Sequence, residues 1–381
     1  MKRVLVPVLS VGVGQRLLDV AELLDPDPGL RLVFTAVPST TANGVGGLLR
    51  AAGVAALAWD EAVGLRRDLV ITSSHDHPRG FDTPTVVIPD PCGRRRPPRR
   101  PHADRQAPQV LDARVAGRGT RSGRTPVLRL AAHSDDVRTP DTPAGDLPDP
   151  VAVVGDLTFD RLLLSRRHRD TYRAALRVDP HHRLVVVVST WGAASLISRE
   201  PELLHRLAVE LPEERYRVAV LLHPAAWFSQ DVHHLNAWMT TARTTSVQIV
   251  DPFTQWRPVV AGADLVIGAH GSIALYSTGM GLPVLLADPK PVRTTSSRSP
   301  HATSPLAGAP QLRRGTPLPD QLDAAENWHT GRIRHRAARH VTSAPGQAGR
   351  LTLAAIYRML DLTPPGPAPM LTPVRAPRRM I

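Results

Sequence analysis

Short apolar runs alternate with amphipathic stretches over most of this chain, and the alternation predicts strands that alternate with helices. Several of the runs are apolar throughout, which is typical of strands buried on both faces of a parallel sheet. Strands joined by helices in this order form βαβ units. Before residue 90 the pattern predicts strands at 4–9, 30–35, 54–58, 69–72 and 85–88, with helices at 15–24, 43–52 and 61–66. We therefore expect an α/β domain whose parallel sheet carries helices on both faces.

A second alternating run begins at residue 151 and predicts a second α/β domain. Its predicted strands span 151–154, 184–188, 216–222, 247–250, 265–267 and 284–286, and its helices span 159–176, 230–240 and 273–280, with two more beginning near 202 and 254. Polar turns follow four of these strands, at 189–192, 223–224, 251–252 and 270–272. Because the carboxyl ends of parallel strands meet at one edge of a sheet, we expect the four turns to line that edge, where α/β proteins bind ligands.

The stretch 263–289 contains the strongest motif in the chain. An apolar strand at 265–267 leads into the turn His270-Gly271-Ser272, and a short helix then runs to Met280. Glycine permits a bend that other residues resist, and serine favours the start of a helix. A helix that opens above a parallel sheet directs free backbone N–H groups at solvent, and this arrangement favours an anion such as phosphate.

This stretch resembles the donor-binding loop of GT-B glycosyltransferases, in which a His-Gly or Gly-Gly turn and a Ser or Thr open a helix that ends in Gly-x-Pro. It is also similar to the equivalent segment of CDP-glycerol glycerophosphotransferases of the teichoic-acid type. The resemblance implies a donor site whose residues are Thr190, His223, His270, Gly271, Ser272 and Tyr276, with Asp251 and Pro252 in the base and ribose loop. Tyr276 stands where these families usually carry the Glu or Asp that holds the donor ribose.

The first half offers candidates for the acceptor side and for catalysis. Gly12 and Gly14 follow the first strand, and the resemblance places this loop beside the acceptor; a plain tight turn is the alternative. Leu17 occupies the third glycine position of a dinucleotide-binding fingerprint, so that cofactor site is not predicted. His75 follows the strand 69–72 and is a candidate general base, or else a solvated loop histidine. Asp90 stands where teichoic-type enzymes usually carry a His-Gly element, and it is the second candidate catalytic residue.

Composition suggests an insertion between two Rossmann-like domains. Residues 91–130 hold eleven arginines against two aspartates, and the surrounding sequence is rich in proline. Such a segment is expected to lack regular structure. The predicted organisation is an N-terminal acceptor-side domain at 1–90, an Arg/Pro-rich insertion and linker at 91–150, a C-terminal donor-binding domain at 151–345, a helix at 346–362 that crosses back to the N-terminal domain, and a mobile Pro-rich tail at 363–381.

The bulk composition limits the other function classes. The 381 residues carry a formal charge of +13, but aromatic residues make up only 4%, so nonspecific attraction to polyanions is expected rather than specific recognition of nucleic acid. The single cysteine, Cys92, excludes an internal disulfide and favours a cytoplasmic protein, which could also lie at the inner membrane face. No apolar run is long enough to span a membrane. Neither a cofactor nor a metal site is predicted.

The leading functional hypothesis is therefore a GT-B transferase that moves a glycosyl or glycerophosphate group from a nucleotide-diphosphate donor to an acceptor that the sequence does not identify. The main alternative is a catalytically altered, GT-B-like nucleotide-binding protein, because Tyr276 and Asp90 both depart from the family pattern. A sugar-nucleotide epimerase and a nonspecific nucleic-acid-associated protein are lesser alternatives.

Overall fold

The computed structural model describes residues 1–38, 44–73, 82–89, 125–137, 150–192, 195–228, 239–240, 247–269, 271–287 and 305–377. These residues divide into two compact units. The first unit holds the described residues of Met1–Asp160 together with Thr342–Leu371. The second unit holds the described residues between Arg161 and Val341 and those from Thr372 onward.

The first unit contains a parallel sheet of seven strands. They are β1 (Lys2–Val8), β2 (Leu30–Ala36), β3 (Ala56–Leu57), β4 (Leu69–Ser73), β5 (Thr85–Ile88), β6 (Val127–Ala131) and β7 (Val151–Val153), in the order β3-β2-β1-β4-β5-β6-β7. Helices α1 (Val11–Leu24), α2 (Val45–Ala51) and α3 (Trp59–Gly64) connect the first strands, and a 3-10 turn (Ser134–Val137) follows β6. Every strand pair of this sheet is parallel, as the alternating pattern predicted.

The second unit contains a parallel sheet of five strands. They are β8 (Arg183–Ser189), β9 (Tyr216–Leu222), β10 (Val247–Ile249), β11 (Leu265–Gly268) and β12 (Val284–Leu286), in the order β10-β9-β8-β11-β12. The helices are α4 (Leu157–Arg166), which begins in the first unit, α5 (Arg169–Ala175), α6 (Leu196–Arg199), α7 (Leu203–Glu210), α8 (Pro224–Phe228), α9 (Trp256–Gly262), α10 (Ser272–Met280), α11 (Leu318–Trp328) and α12 (Gly331–Val341). Helix α12 was not predicted from the sequence.

The centre of the second sheet explains why its strands read as continuous apolar runs. Leu265, Val266 and Ile267 of β11 pair with Val185, Val186 and Val187 of β8. All six side chains are buried, because the sheet is covered on both faces. The strand pattern therefore follows directly from burial of both faces.

The last helix, α13 (Ala348–Met359), belongs to the first unit. Ile356 and Tyr357 join the same apolar cluster as β1, as expected for a C-terminal helix that returns to the N-terminal half. The Tyr357 hydroxyl donates a hydrogen bond to Asp27, and burial together with this bond raises the pKa of Tyr357. Asp160 accepts hydrogen bonds from Gly346 N at 2.7 Å and Ala348 N at 3.0 Å, which fixes the start of α13.

Strands β6 and β7 differ from the predicted domain organisation. The sequence pattern predicts that residues 127–131 belong to an insertion without regular structure and that 151–154 form the first strand of the second domain. The structure instead pairs β6 with β5 and β7 with β6, so that both extend the first sheet. Leu128 and Leu130 alternate with less buried neighbours, and this short alternation is a strand signal that the surrounding arginines and prolines obscured. The rest of the predicted insertion, 91–124 and 138–149, lies outside the described residues.

Two other expectations also differ. The predicted helix 159–176 is divided into α4 and α5 at residues 167–168. The tail, predicted to be mobile, is held in its described part, because the Tyr172 hydroxyl donates to Val374 O at 2.6 Å and Arg161 Nε donates to Thr372 O at 3.0 Å. The predicted helix 230–240 lies almost entirely outside the described residues.

Candidate functional site

The strand order of the second unit creates a switch point between β8 and β11. From β8 the chain moves to β9 on one side, whereas β11 and β12 lie on the other side. The connections that leave β8 and β11 therefore diverge, and in sheets of this kind ligands usually bind outside the carboxyl ends of the strands at such a point. Thr190 directly follows β8, and Gly271 and Ser272 follow β11. The predicted donor-site residues thus flank the switch point.

Thr190 supplies a buried polar atom at this edge. Its Oγ1 is buried and has no hydrogen-bond partner among the residues that the structure describes. Its Cγ2 lies 3.9 Å from the position that a Cβ would take on Gly271, so the ends of β8 and β11 are in contact range. A buried hydroxyl without a partner is unfavourable by about 1–3 kcal/mol, and a bound ligand could satisfy it.

Helix α10 begins directly beside Thr190. Gly271, at its N-cap, has a φ of 157° and no side chain to bond the first turn. The N–H groups of this turn are the positive end of the helix dipole and favour an anion. Farther along, Ser277 and Thr278 donate their hydroxyl hydrogens to the Ile273 and Ala274 carbonyls, so these hydroxyls are satisfied within the helix.

His223 lies at the carboxyl end of the neighbouring strand β9. Its backbone N–H donates to Ser189 O at 2.9 Å, which ties this turn to the end of β8. Its Nδ1 accepts a hydrogen bond from Ala225 N at 3.1 Å. A neutral imidazole whose Nδ1 accepts carries its proton on Nε2. The ring is exposed at this edge.

Trp191 is a residue of this edge that the predicted site omitted. It follows Thr190, its side chain is 58% exposed, and its ring centroid lies 6.4 Å from that of His223. The turn after it is held by Ser195 N and Ser198 Oγ, which both donate to Gly192 O. The sequence did contain a signal for Trp191, because a large aromatic side chain directly after the strand end Ser189-Thr190 occupies a position that is normally polar.

Asp251 and Pro252 follow the edge strand β10. The Asp251 carboxylate accepts from Phe253 N at 2.8 Å, and its carbonyl accepts from Thr254 N at 3.0 Å. The Phe253 ring lies 5.8 Å from that of Phe228 in α8, the helix that follows His223. The four predicted turns therefore follow four adjacent strands of one sheet edge, with Asp251 farthest from the switch point.

Tyr276 does not stand at this edge as an exposed side chain. It is only 1% exposed, and its ring stacks on Trp256 at 5.9 Å between centroids and 13° between planes. The stack joins α9 to α10 in the interior of the unit. Tyr276 lies on the face of α10 that packs into the core. Its side chain could contact a ribose only if the stack with Trp256 were broken.

Gly12 and Gly14 lie in the first turns of α1 and not in a loop. Ser10 caps this helix by accepting from Val13 N, so the helix starts four residues earlier than predicted. A Cβ on Gly14 would lie 2.4 Å from Leu48 Cδ2 and 2.9 Å from Val8 Cγ1, whereas one on Gly12 would meet nothing within 4 Å. Gly14 therefore serves close helix packing.

Three predicted residues, His75, Asp90 and His270, lie outside the described residues. Their roles as catalytic or donor-binding residues remain predictions. In the first unit, the described chain offers one feature near the predicted catalytic region: Thr72, at the end of β4, has a buried Oγ1 that makes no hydrogen bond. Strand β4 borders β1 at the switch point of the first sheet.

Comparisons with sequences identify no relative. No protein family matches the sequence, and no curated protein matches it either. The helices of the described chain include none with the length and apolar character needed to cross a membrane.

Comparisons with solved structures do find similar folds. UDP-GlcNAc 2-epimerase from Neisseria meningitidis bound to UDP-GlcNAc is 11% identical, with a TM-score of 0.53 over 93% of this chain and 100% of that one. S. aureus MnaA with UDP is 10% identical, with a TM-score of 0.54 over 95% and 98%. The wall teichoic acid polymerase TagF soaked with CDPG is 12% identical, with a TM-score of 0.59 over 94% and 88%. At these identities the likeness concerns the fold: this chain has the α/β fold of the GT-B glycosyltransferases, with two Rossmann-like domains, as the sequence predicted.

Proposed function

We propose that this protein binds a nucleotide-diphosphate donor at the carboxyl ends of β8 and β11 and transfers its glycosyl or glycerophosphate group to an acceptor. The observation that carries the proposal is the meeting of Thr190 with the start of α10 at the switch point, where an unpaired buried hydroxyl adjoins the positive end of a helix. The solved structures of similar fold were determined with UDP-GlcNAc, UDP and CDPG, which supports a donor of this class.

The residues at this edge suit the departure of a nucleotide. When a glycosyl group is transferred, its bond to the diphosphate breaks and the electron pair passes to a diphosphate oxygen. When a glycerophosphate group is transferred, the bond between the two phosphates breaks and the electron pair passes to an oxygen of the departing nucleoside monophosphate. Either step increases the negative charge on the departing phosphate. The first-turn N–H groups of α10, the Thr190 hydroxyl and the Nε2–H of His223 would offset that charge. The acceptor hydroxyl must lose a proton in the same reaction, and His75 and Asp90 are the proposed bases.

A proline substitution tests whether the helix backbone binds the diphosphate. Proline is favoured at the first position of a helix, so Ser272→Pro removes one N–H with little cost to α10. Ser272→Ala keeps that N–H and serves as the matched control. We expect Ser272→Pro to weaken binding of UDP, CDP or GDP about tenfold or more, as for loss of a hydrogen bond to a charged group, in isothermal titration. No binding of any nucleotide by the wild type, or equal binding by both variants, would refute the donor site.

Trp191 offers a platform for the nucleobase or for an apolar part of the donor. Stacking on an aromatic ring contributes about 1–3 kcal/mol per base. We expect Trp191→Ala to weaken nucleotide binding and Trp191→Phe to preserve most of it. Trp59→Phe, in the other unit, is the control for fluorescence titrations, and it should leave the nucleotide-dependent quenching of Trp191 intact. His270→Ala is tested in the same series, and unchanged affinity would remove His270 from the proposed site.

A nucleotide-binding protein without turnover is the second candidate. It is favoured by Pro89-Asp90-Pro91 in place of the family's His-Gly and by the burial of Tyr276. Incubation with UDP-, CDP- and GDP-linked donors and acceptor mixtures separates the candidates, because a transferase releases nucleoside diphosphate or monophosphate. Tight binding without any release would favour this second candidate. Inversion at a sugar carbon of UDP-GlcNAc, detected by NMR, would instead indicate an epimerase.

Peripheral contact with an anionic surface is also proposed. The Arg-rich segment 93–130 lies almost wholly outside the described residues, but the described chain adds a basic helix, α12, with exposed Arg332, Arg334, Arg336 and Arg339. Sedimentation with vesicles of anionic lipid, for the full chain and for a deletion of 93–124 that leaves β6 in place, tests the contact. Binding that survives the deletion and is lost when these four arginines are changed to glutamine would assign it to α12.

A further inference from the structure

The turn between α5 and β8 brings together three groups that can bind a metal. Asp179, His181 and His182 each place one ligand atom within 4.8 Å of the others. This turn lies at the amino end of β8, the opposite end from Thr190. A seven-residue strand is about 20 Å long, so the cluster is separate from the proposed donor site and does not depend on it.

His182 provides the observation that distinguishes this cluster from an ordinary surface turn. The residue is only 6% exposed, and its Nδ1 is buried without a hydrogen-bond partner in the described part of the chain. The ring donates its other N–H to the backbone carbonyl of Glu213. This bond fixes the tautomer that leaves a lone pair on Nδ1, the arrangement that metal-binding histidines use.

Two further ligand groups lie close to His182. Asp179 Oδ2 lies 3.6 Å away, and the His181 ring centroid lies 4.0 Å from that of His182. At 3.6 Å a lone pair and a carboxylate share no hydrogen bond, and a cation between them would satisfy both.

Arg173 holds the backbone of this turn in place. Its Nη2 donates to Asp179 O at 3.0 Å and to His182 O at 2.6 Å, and its Nη1 donates to Asp264 Oδ2 at 2.9 Å. The turn is closed by His182 N, which donates to Asp179 O at 3.1 Å. The ligand positions are therefore preorganised by a buried side chain that does not itself bind metal.

We propose that Asp179, His181 and His182 form a site for a late first-row divalent metal such as Zn²⁺. Imidazole and carboxylate ligands suit Zn²⁺, whose bonds to them of about 2.0–2.2 Å place tetrahedral ligand atoms about 3.4 Å apart. The separation of Asp179 from His182 is close to this value, and the exposed side chains of Asp179 and His181 can rotate to complete the set. Water would take the remaining position. The metal would stabilise the turn that precedes β8.

The test measures metal binding by the full, tag-free chain. Zn²⁺ titration is performed on the wild type, His181→Ala, Asp179→Asn and the control His205→Ala, which removes an exposed histidine of α7. We expect one equivalent to bind to the wild type and the control, and at least a tenfold weaker affinity in both cluster variants. Because Asp179 and His181 are exposed, neither variant should unfold the protein.

Two readouts decide the result. Co²⁺ should produce the visible absorption of a tetrahedral site in the wild type and in His205→Ala, and none in the cluster variants. Zn²⁺ should raise the unfolding temperature of the same two proteins only. Equal affinity in all four proteins, or an equal loss in His205→Ala, would overturn the proposal.

Discussion

Thr190 and Gly271 meet at the switch point of the second sheet, with Thr190 Cγ2 3.9 Å from the position of a Cβ on Gly271. The contact places a buried, unpaired hydroxyl beside the first turn of α10. Replacing this hydroxyl with a methyl group should therefore stabilise the free protein, whereas under the proposed function the donor satisfies the hydroxyl.

Thr190→Val should therefore stabilise the free protein while weakening nucleotide binding. Valine has the shape of threonine and removes the desolvated hydroxyl, for an expected gain of about 1 kcal/mol in the free energy of unfolding. The matched control is Thr35→Val, because Thr35 is also buried but donates to Leu57 O at 3.1 Å. The free energy of unfolding of Thr35→Val should be about 1 kcal/mol lower than that of the wild type, because a satisfied hydrogen bond is lost. Urea unfolding measures both, and destabilisation by Thr190→Val would indicate a partner for its hydroxyl.

Gly12 and Gly14 should respond differently to the same substitution. Gly14→Ala places a Cβ into Leu48 and Val8, and overpacking of this kind costs about 1–3 kcal/mol. Gly12→Ala meets no neighbour within 4 Å and should be stabilising by about 0.5–1 kcal/mol, because alanine favours a helix. Thermal unfolding of the two variants checks the difference. Equal effects would contradict the placement of both residues in α1.

Asp264 should be an important residue for the stability of the second unit. It accepts from Leu184 N at 2.8 Å, pairs with Arg173 at 2.9 Å and also pairs with Arg169. Asp264→Ala leaves the buried Arg173 guanidinium without its carboxylate, for an expected loss of about 2–4 kcal/mol. Asp170→Ala is the control, since Asp170 is fully exposed and 4.0 Å from Arg169; it should change stability by less than about 0.5 kcal/mol. Chemical denaturation distinguishes the two.

The stability of the protein should depend on pH through the carboxyl group of Asp160. Burial raises its pKa, although the N–H groups of Gly346 and Ala348 oppose the shift. A raised folded-state pKa means that the contribution of Asp160 to stability is fully present below its unfolded pKa of about 3.9 and is lost as pH rises through the folded value. The stability of the wild type relative to Asp160→Asn should therefore fall from about pH 4 upward.

The opposite behaviour is expected at Asp68, which makes it the control for this experiment. The hydrogen bond from Arg3 N lowers the pKa of Asp68. The stabilisation that Asp68 provides is therefore fully present above the pKa that Asp68 has in the unfolded chain, and it is lost as pH falls through the lower pKa of the folded state. The free energy of unfolding of the wild type should therefore increase relative to that of Asp68→Asn as pH rises. If the wild type instead became more stable relative to Asp160→Asn as pH rises, the hydrogen bonds from Gly346 N and Ala348 N would outweigh burial in setting the pKa of Asp160.

Local patterning was sufficient to predict the parallel sheets and the edge on which the candidate site lies. The runs at 184–188 and 265–267 are apolar at every position because both faces of their strands are buried. Once strands alternate with helices, all strand ends of one sheet fall on the same edge, and the polar turns at Thr190, His223, Asp251 and Ser272 follow from the chain order. This part of the site required no knowledge of distant contacts.

Assignments that depend on partners far along the chain could not be predicted in this way. Strand β7 joins the first sheet because β6 offers a free edge, although its sequence adjoins the second domain. Tyr276 occupies the same helix as the anion site, yet the position of Trp256 decides that its ring is buried.

The sequence by itself determined the α/β class, the strand–helix alternation and the polar turns, because periodicity records which faces of each element are buried. Only the tertiary structure decided which polar groups lack partners. The sequence marked Thr190 only as part of a polar turn and did not mark His182 at all, and neither pattern indicated that the Thr190 Oγ1 or the His182 Nδ1 is buried without a partner among the described residues. The hydrogen-bond state of a side chain is a property of segments brought together by folding, and no local pattern records it.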